Sequence, residues 1–199
     1  MFTATTPPTP EDCSAMWEVI DFPELQWSHP AVDAYVEELA TLYGNGEVIF
    51  HSFQLPEHPT FEWYLQHQLH DCNFFRRFWS APSPSRFFEP ASSDWNYYQT
   101  YNAKTVFRWQ SPLRLAGELA ILLAEGGCYS GGMRHQLRAN TLGQAAAHEL
   151  LKDDFDQTFF FASQRSWSRF FRDIAWDNTI VFVSKGMRQI HCLLATDSD

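Results

Sequence analysis

A chain of 199 residues that is 45% hydrophobic and 17% aromatic can bury a sizeable core, which excludes an intrinsically disordered protein. The net charge of −10 disfavours binding to nucleic acid or to an anionic membrane, and no apolar run approaches the length that spans a bilayer. Cys13, Cys72, Cys128 and Cys192 are widely spaced with no CxxC pair, so they read as reduced thiols rather than a zinc or redox motif.

The first stretch, 1–12, has neither a basic n-region nor an apolar h-region, so a disordered tail and a cytoplasmic location are expected. Residues 13–199 are expected to form one domain. "SHPAVDAYVEELATLYGNG" predicts a helix capped by Ser28 and opened by Pro30, with Val32, Tyr35, Val36 and Leu39 on one face. "EVIFHSF" (47–53) predicts a strand, and 58–80 a second helix with a dense aromatic end. The Pro- and Ser-rich stretch 81–94 predicts a loop, and 97–109 a strand.

"SPLRLAGELAILLAEGG" predicts a helix capped by Ser111 and closed by Gly126, and 137–155 a further long helix. "QTFFFAS" predicts a strand and "SWSRFFRDI" a short helical turn. "NTIVFVSKGMRQIHCLLAT" predicts a hairpin turning around Lys185 and Gly186. Together these elements predict an α+β fold: a mostly antiparallel sheet, helices packed on one of its faces, and a C-terminal β-hairpin.

Charge is distributed unevenly along the chain. Residues 1–75 carry twelve acids and no Lys or Arg, leaving the other twelve acids to face all fourteen basic residues. Such a field attracts a basic protein partner and repels nucleic acid. Glu37 and Glu38 on one expected helix, and Glu57, Glu62 and Asp71 around the next, are the expected partner-binding residues. Trp63 and Tyr64 are the aromatic anchors between them.

Signals for catalysis are sparse. His67 and His70 share a helical face if 58–80 is one helix, but no HExxH-like signature supplies further ligands, so no metal or other cofactor is expected. "EGGCYSGG" follows a helix and lacks the Lys-Ser/Thr of a phosphate loop, and Cys128 has no evident partner base. Asp173, Asp177, Asp197 and Asp199 crowd the end of the chain, and a hairpin brings Asp177 and Asp197 together. That pair could serve a divalent cation or simply tie down backbone amides.

The segments "GELAILLAEGGCY" (117–129), "WSRFFRDIAWDNTIVFV" (167–183) and "LLATDSD" (193–199) resemble a pattern in uncharacterised, mainly microbial proteins similar to the immunity proteins of polymorphic toxins. The resemblance is confined to the second half of the chain. It implies no catalytic residues and a non-enzymatic binder, an inhibitor of the immunity type; the acidic first half points to a basic toxin, such as a nuclease, as its target. A small metal-dependent hydrolase using Asp177, Asp197 and a histidine is the rival reading, and a scaffolding module is a third.

Overall fold

A hairpin buried on both faces organises the molecule. The computed structural model describes residues 6–87, 106–152, 154–167, 170–171 and 174–198. Strands β1 (Glu47–Gln54), β2 (Arg108–Gln110), β3 (Thr158–Ser163), β4 (Asn178–Ser184) and β5 (Gln189–Thr196) form one sheet in the order β1-β5-β4-β3-β2. Every neighbouring pair is antiparallel. The expected hairpin is β4–β5, with Ser184 opposite Gln189 across a turn that holds Arg188 at φ 55°.

Among the described residues seven α-helices surround this sheet: α1 (Pro10–Val19), α2 (Pro30–Leu42), α3 (Pro59–Gln66), α4 (Phe74–Trp79), α5 (Pro84–Phe87), α6 (Leu115–Glu125) and α7 (Gln136–Leu151). The class is α+β. The helices lie on both faces of the sheet, however, not on the single face expected. Val181, Val183, Ile190, Cys192 and Leu194 point into a cluster with residues of α1, α3 and α4. Ile180, Phe182, Leu193 and Ala195 point the opposite way, against α2, α6 and α7. Side chains alternate across a strand, so a run that is apolar without interruption must be covered twice.

The two layers differ in chemistry. The first is aromatic: Phe22 meets Phe78 edge-on at 5.0 Å, Phe75 stacks on Phe107 at 4.1 Å, and Trp79 stacks on Trp167 at 5.0 Å. The second is built from leucines and alanines, and α6 and α7 pack closely because Gly143 leaves room for the backbone at Ala116 and Ala120.

Several expected boundaries move for local reasons. Part of the stretch 1–12 expected as a tail is helical: Thr9 and Asp12 form a capping box and Pro10 opens α1, while 1–5 lie outside the described residues. His29, not Ser28, caps α2 by accepting from the Ala31 amide, while Ser28 Oγ donates to Asp33 at 2.6 Å. The helix expected over 58–80 is three pieces: α3, a 3₁₀ turn at Leu69–Cys72, and α4. Asn73 adopts φ 56° between the last two, a conformation that no continuing helix allows.

Ser111 makes no capping bond with its side chain and precedes a 3₁₀ turn, Pro112–Arg114, ahead of α6. Gly126 does close α6, at φ 68°. The helix expected to reach 155 stops at Leu151, with Lys152 at φ 44°. Of the strand expected over 97–109, Arg108 and Trp109 lie in β2, and 97–105 lie outside the described residues. Within 81–94, Pro84–Phe87 is helical and 88–94 lie outside the described residues, as does part of 166–174. No helix among the described residues is long and apolar enough to cross a membrane.

β5 lies between β1 and β4, so its removal would strand β1 and open both layers at once. Deleting residues 190–199 is expected to abolish the cooperative thermal transition, followed by circular dichroism, because the lost burial exceeds the few kcal/mol by which domains are stable. A truncated chain that melts cooperatively near the full-length temperature would contradict this role for β5.

Candidate functional site

The hairpin does bring Asp177 and Asp197 to one end of the sheet, and both carboxylates are committed there. Asp177 accepts from Thr196 Oγ1 at 2.6 Å and from the Ile174 amide at 3.1 Å. Asp197 accepts from the Asn45 amide at 3.1 Å and from the Cys128 amide at 2.7 Å. Both are nearly inaccessible, with 1% exposure each. A Cβ on Gly127 would collide with the Asp197 carboxylate, so that glycine permits the close approach.

These bonds tie the loops that follow α2 and α6 to the end of β5. Beside them the Tyr43 hydroxyl accepts from Asn178 Nδ2 at 3.3 Å. Burial pushes that hydroxyl up to about 12, and the charges of Asp197, Glu125 and Asp177 add to the shift, so it stays neutral. The arrangement is a structural latch, and it engages Cys128 through the backbone. Asp173 and Asp199 lie outside the described residues.

The histidine pair is separated in role. His67 ends α3, stacks on Trp63 at 4.1 Å and places Nδ1 2.7 Å from the Trp63 carbonyl. His70 belongs to the 3₁₀ turn and meets Phe161 edge-on at 5.0 Å. Among the described residues no group of three or more His, Cys, Asp or Glu is placed to hold a metal ion.

A second polar pair lies inside the leucine-rich layer. Ser52 Oγ is 2.7 Å from His191 Nδ1, with both residues buried and His191 Nε2 unpartnered among the described residues. A serine beside a histidine suggests a nucleophile and its base. The adjoining cavity is only about 10 Å³, walled by Tyr35, Phe50, Leu119 and Phe182, so no organic substrate fits. Burial, with the Lys152 charge adding to it, drives the His191 imidazole down to about 3.

The expected binding residues divide between the two faces of the sheet. Glu37 and Glu38 are on α2, on the leucine-rich side; Glu37 is exposed and Glu38 is paired with Arg138 at 2.6 Å. Glu57, Glu62, Trp63, Tyr64 and Asp71 belong to the aromatic side, in or beside α3 and the 3₁₀ turn. Glu62 pairs with Arg188 at 2.6 Å. Trp63 is half-buried, whereas Tyr64 is buried with its ring inside the core and cannot serve as an exposed anchor. Residues close in sequence thus do not make one patch. On the aromatic side α1 packs against α3, which adds Glu11 and Glu18 to the carboxylates there.

Sequence reasoning missed a cleft of about 640 Å³ between α6 and the β2–β3–β4 end of the sheet. Arg108 and Arg165 line it, and their spacing in sequence gives no sign that they share a cleft. Only the pairing of Arg108 with Ala162 across β2–β3 reveals it. No known protein family, curated protein or solved structure matches the chain.

Two outcomes follow from the buried groups. The depressed His191 pKa means that unfolding takes up a proton below about pH 6.5, the ordinary histidine value. Stability should be level with respect to this group above that pH, and should fall by up to ~1.4 kcal/mol per unit as pH drops towards 3. His191→Phe should flatten that part of the curve, measured by urea unfolding at stepped pH. For the latch, Asp197→Ala deprives two backbone amides of their acceptor. It should cost about 2–4 kcal/mol in urea unfolding, and Asp197→Asn roughly half as much because one acceptor remains.

Proposed function

We propose that the protein is a non-enzymatic binding protein, an immunity-type inhibitor that covers the basic surface of a cytoplasmic protein partner. The observation that carries this reading is the exposed, uncompensated acid of the first half. Glu11, Glu18, Glu37, Glu47 and Glu57 are exposed and pair with no cation among the described residues. Carboxylates held apart in this way repel one another and lower stability, and a cationic partner removes that cost.

The aromatic-layer side is the better docking face. It combines Glu11 and Glu18 of α1 with Glu57 and Asp71, Glu62 being already paired with Arg188, and it carries Trp63, a half-buried aromatic of the kind that anchors interfaces. The α2 side offers Glu37, with Glu38 already neutralised by Arg138. Toxins that cleave nucleic acid need a basic surface to hold it, and an acidic protein is steered onto that surface. The same charge keeps this chain from binding nucleic acid directly. The hydrolase alternative has no support from the terminal aspartates, whose oxygens face N–H and O–H donors.

Charge steering acts on the association rate and is screened over about 10 Å at 0.1 M salt. The partner, identified by crosslinking in the source cells and then purified, should associate several-fold more slowly at low salt with the Glu11→Lys, Glu18→Lys, Glu57→Lys variant. Glu37→Lys should have the smaller effect, and both differences should shrink as salt rises. An unchanged rate for the triple variant, or a partner that is itself acidic, would overturn the proposal. Melting curves establish that the variants are folded.

A further inference from the structure

We infer that the cleft between α6 and the β2–β3–β4 end of the sheet binds a small organic anion with an apolar body, its head held by Arg108 and Arg165. The floor is a row in register: Arg108 lies opposite Ala162, and Ala162 opposite Ile180, so the three side chains share the face turned to α6. On the facing helix Ile121, 47% exposed, and Leu122 supply an apolar wall. At about 640 Å³ the space suits a small molecule.

Most polar groups around this floor already have fixed partners. Arg114 donates to Gln110 at 2.8 Å and to Glu118 at 2.7 Å. Asn178 Nδ2 donates to the Tyr43 hydroxyl and the Trp176 carbonyl, and Thr179 Oγ1 accepts from Trp167. Ser163 Oγ accepts from the Arg165 amide at 3.1 Å, which fixes the backbone from which that guanidinium projects. Arg108 and Arg165 themselves have no partner for their guanidinium groups among the described residues.

Each guanidinium presents a planar fork that matches a carboxylate or a phosphate, and an apolar surface beside it favours a ligand with a hydrocarbon portion. Glu125 stands on the α6 side of the same cleft. It disfavours a ligand that is anionic along its whole length and favours one whose charge is confined to one end. The acidic face proposed for a protein partner lies on the other side of the sheet, so the two sites are independent.

Calorimetric titration with octanoate and octyl phosphate tests the inference, with octanol as the neutral counterpart and inorganic phosphate as the bare head group. At least one of the two amphipathic anions should bind at millimolar concentration or below. Octanol and inorganic phosphate should each bind more weakly. Arg108→Gln with Arg165→Gln should weaken the anion by ~10-fold or more, since both charge-assisted contacts to its head are lost. Arg76→Gln with Arg77→Gln, both exposed on α4, should leave it unchanged. Binding that survives in the Arg108/Arg165 variant, octanol or phosphate binding as tightly as the anions, or no binding by either anion would overturn it. The single Arg165→Gln variant, at an exposed position, gives the same reading if the double variant is poorly folded.

Discussion

The arrangement depends on one constraint: β4 and β5 are apolar on both faces, so the sheet must be covered twice. Val181 and Val183 are covered by an aromatic layer on one side, and Ile180 and Phe182 by an aliphatic one on the other. From that requirement follow the positions of α1, α3 and α4 on one face and of α2, α6 and α7 on the other. It also explains why the polar residues at the end of the hairpin are so thoroughly paired. Where two covered strands end, their carboxylates and hydroxyls are buried with them, and each must find a partner inside. Asp177 and Asp197 meet that demand by holding amides and a threonine hydroxyl.

Covering the sheet twice also settles where charge can go. The acid-rich first half supplies helices to both layers, so its carboxylates emerge on opposite sides of the molecule. The second half returns two arginines to them, Arg138 to Glu38 and Arg188 to Glu62. Ion pairs near the surface such as these contribute little to stability, but they reduce the local field. What is left unpaired on the surface is a property of the fold, and composition alone does not contain it.

Much of the architecture was legible because its signals are local. The run "NTIVFVS", a polar turn and then "QIHCLLAT" can hardly form anything but a hairpin, and Gly126 ends its helix as a glycine at positive φ does. The one-face expectation failed although the clue was present: Ile180, Val181, Phe182 and Val183 are consecutive, without the polar alternation of a half-exposed strand. The break at Asn73 was hidden by apolar periodicity on either side of it. His29 as a cap went unseen because imidazole rarely does what a serine hydroxyl does readily. For the candidate sites, the excess of acid was visible, but its division between two faces was not. The placement of Arg108 and Arg165 at one cleft depends on strand register, which lies beyond the reach of periodicity.

The strand order carries a consequence for how the chain reaches this state. β3, β4 and β5 follow one another and pair in sequence, and α6 and α7, consecutive in the chain, pack against each other. All of that can assemble from neighbours. β1 has no such neighbour: Glu47 must find Thr196, and Gln54 must find Gln189. Closing so long a span has an entropic cost that must be met before any contact rewards it, and such pairings form late. The second half therefore holds the pairings between neighbours, and the acidic first half reaches across the whole chain to wrap the hairpin from both sides.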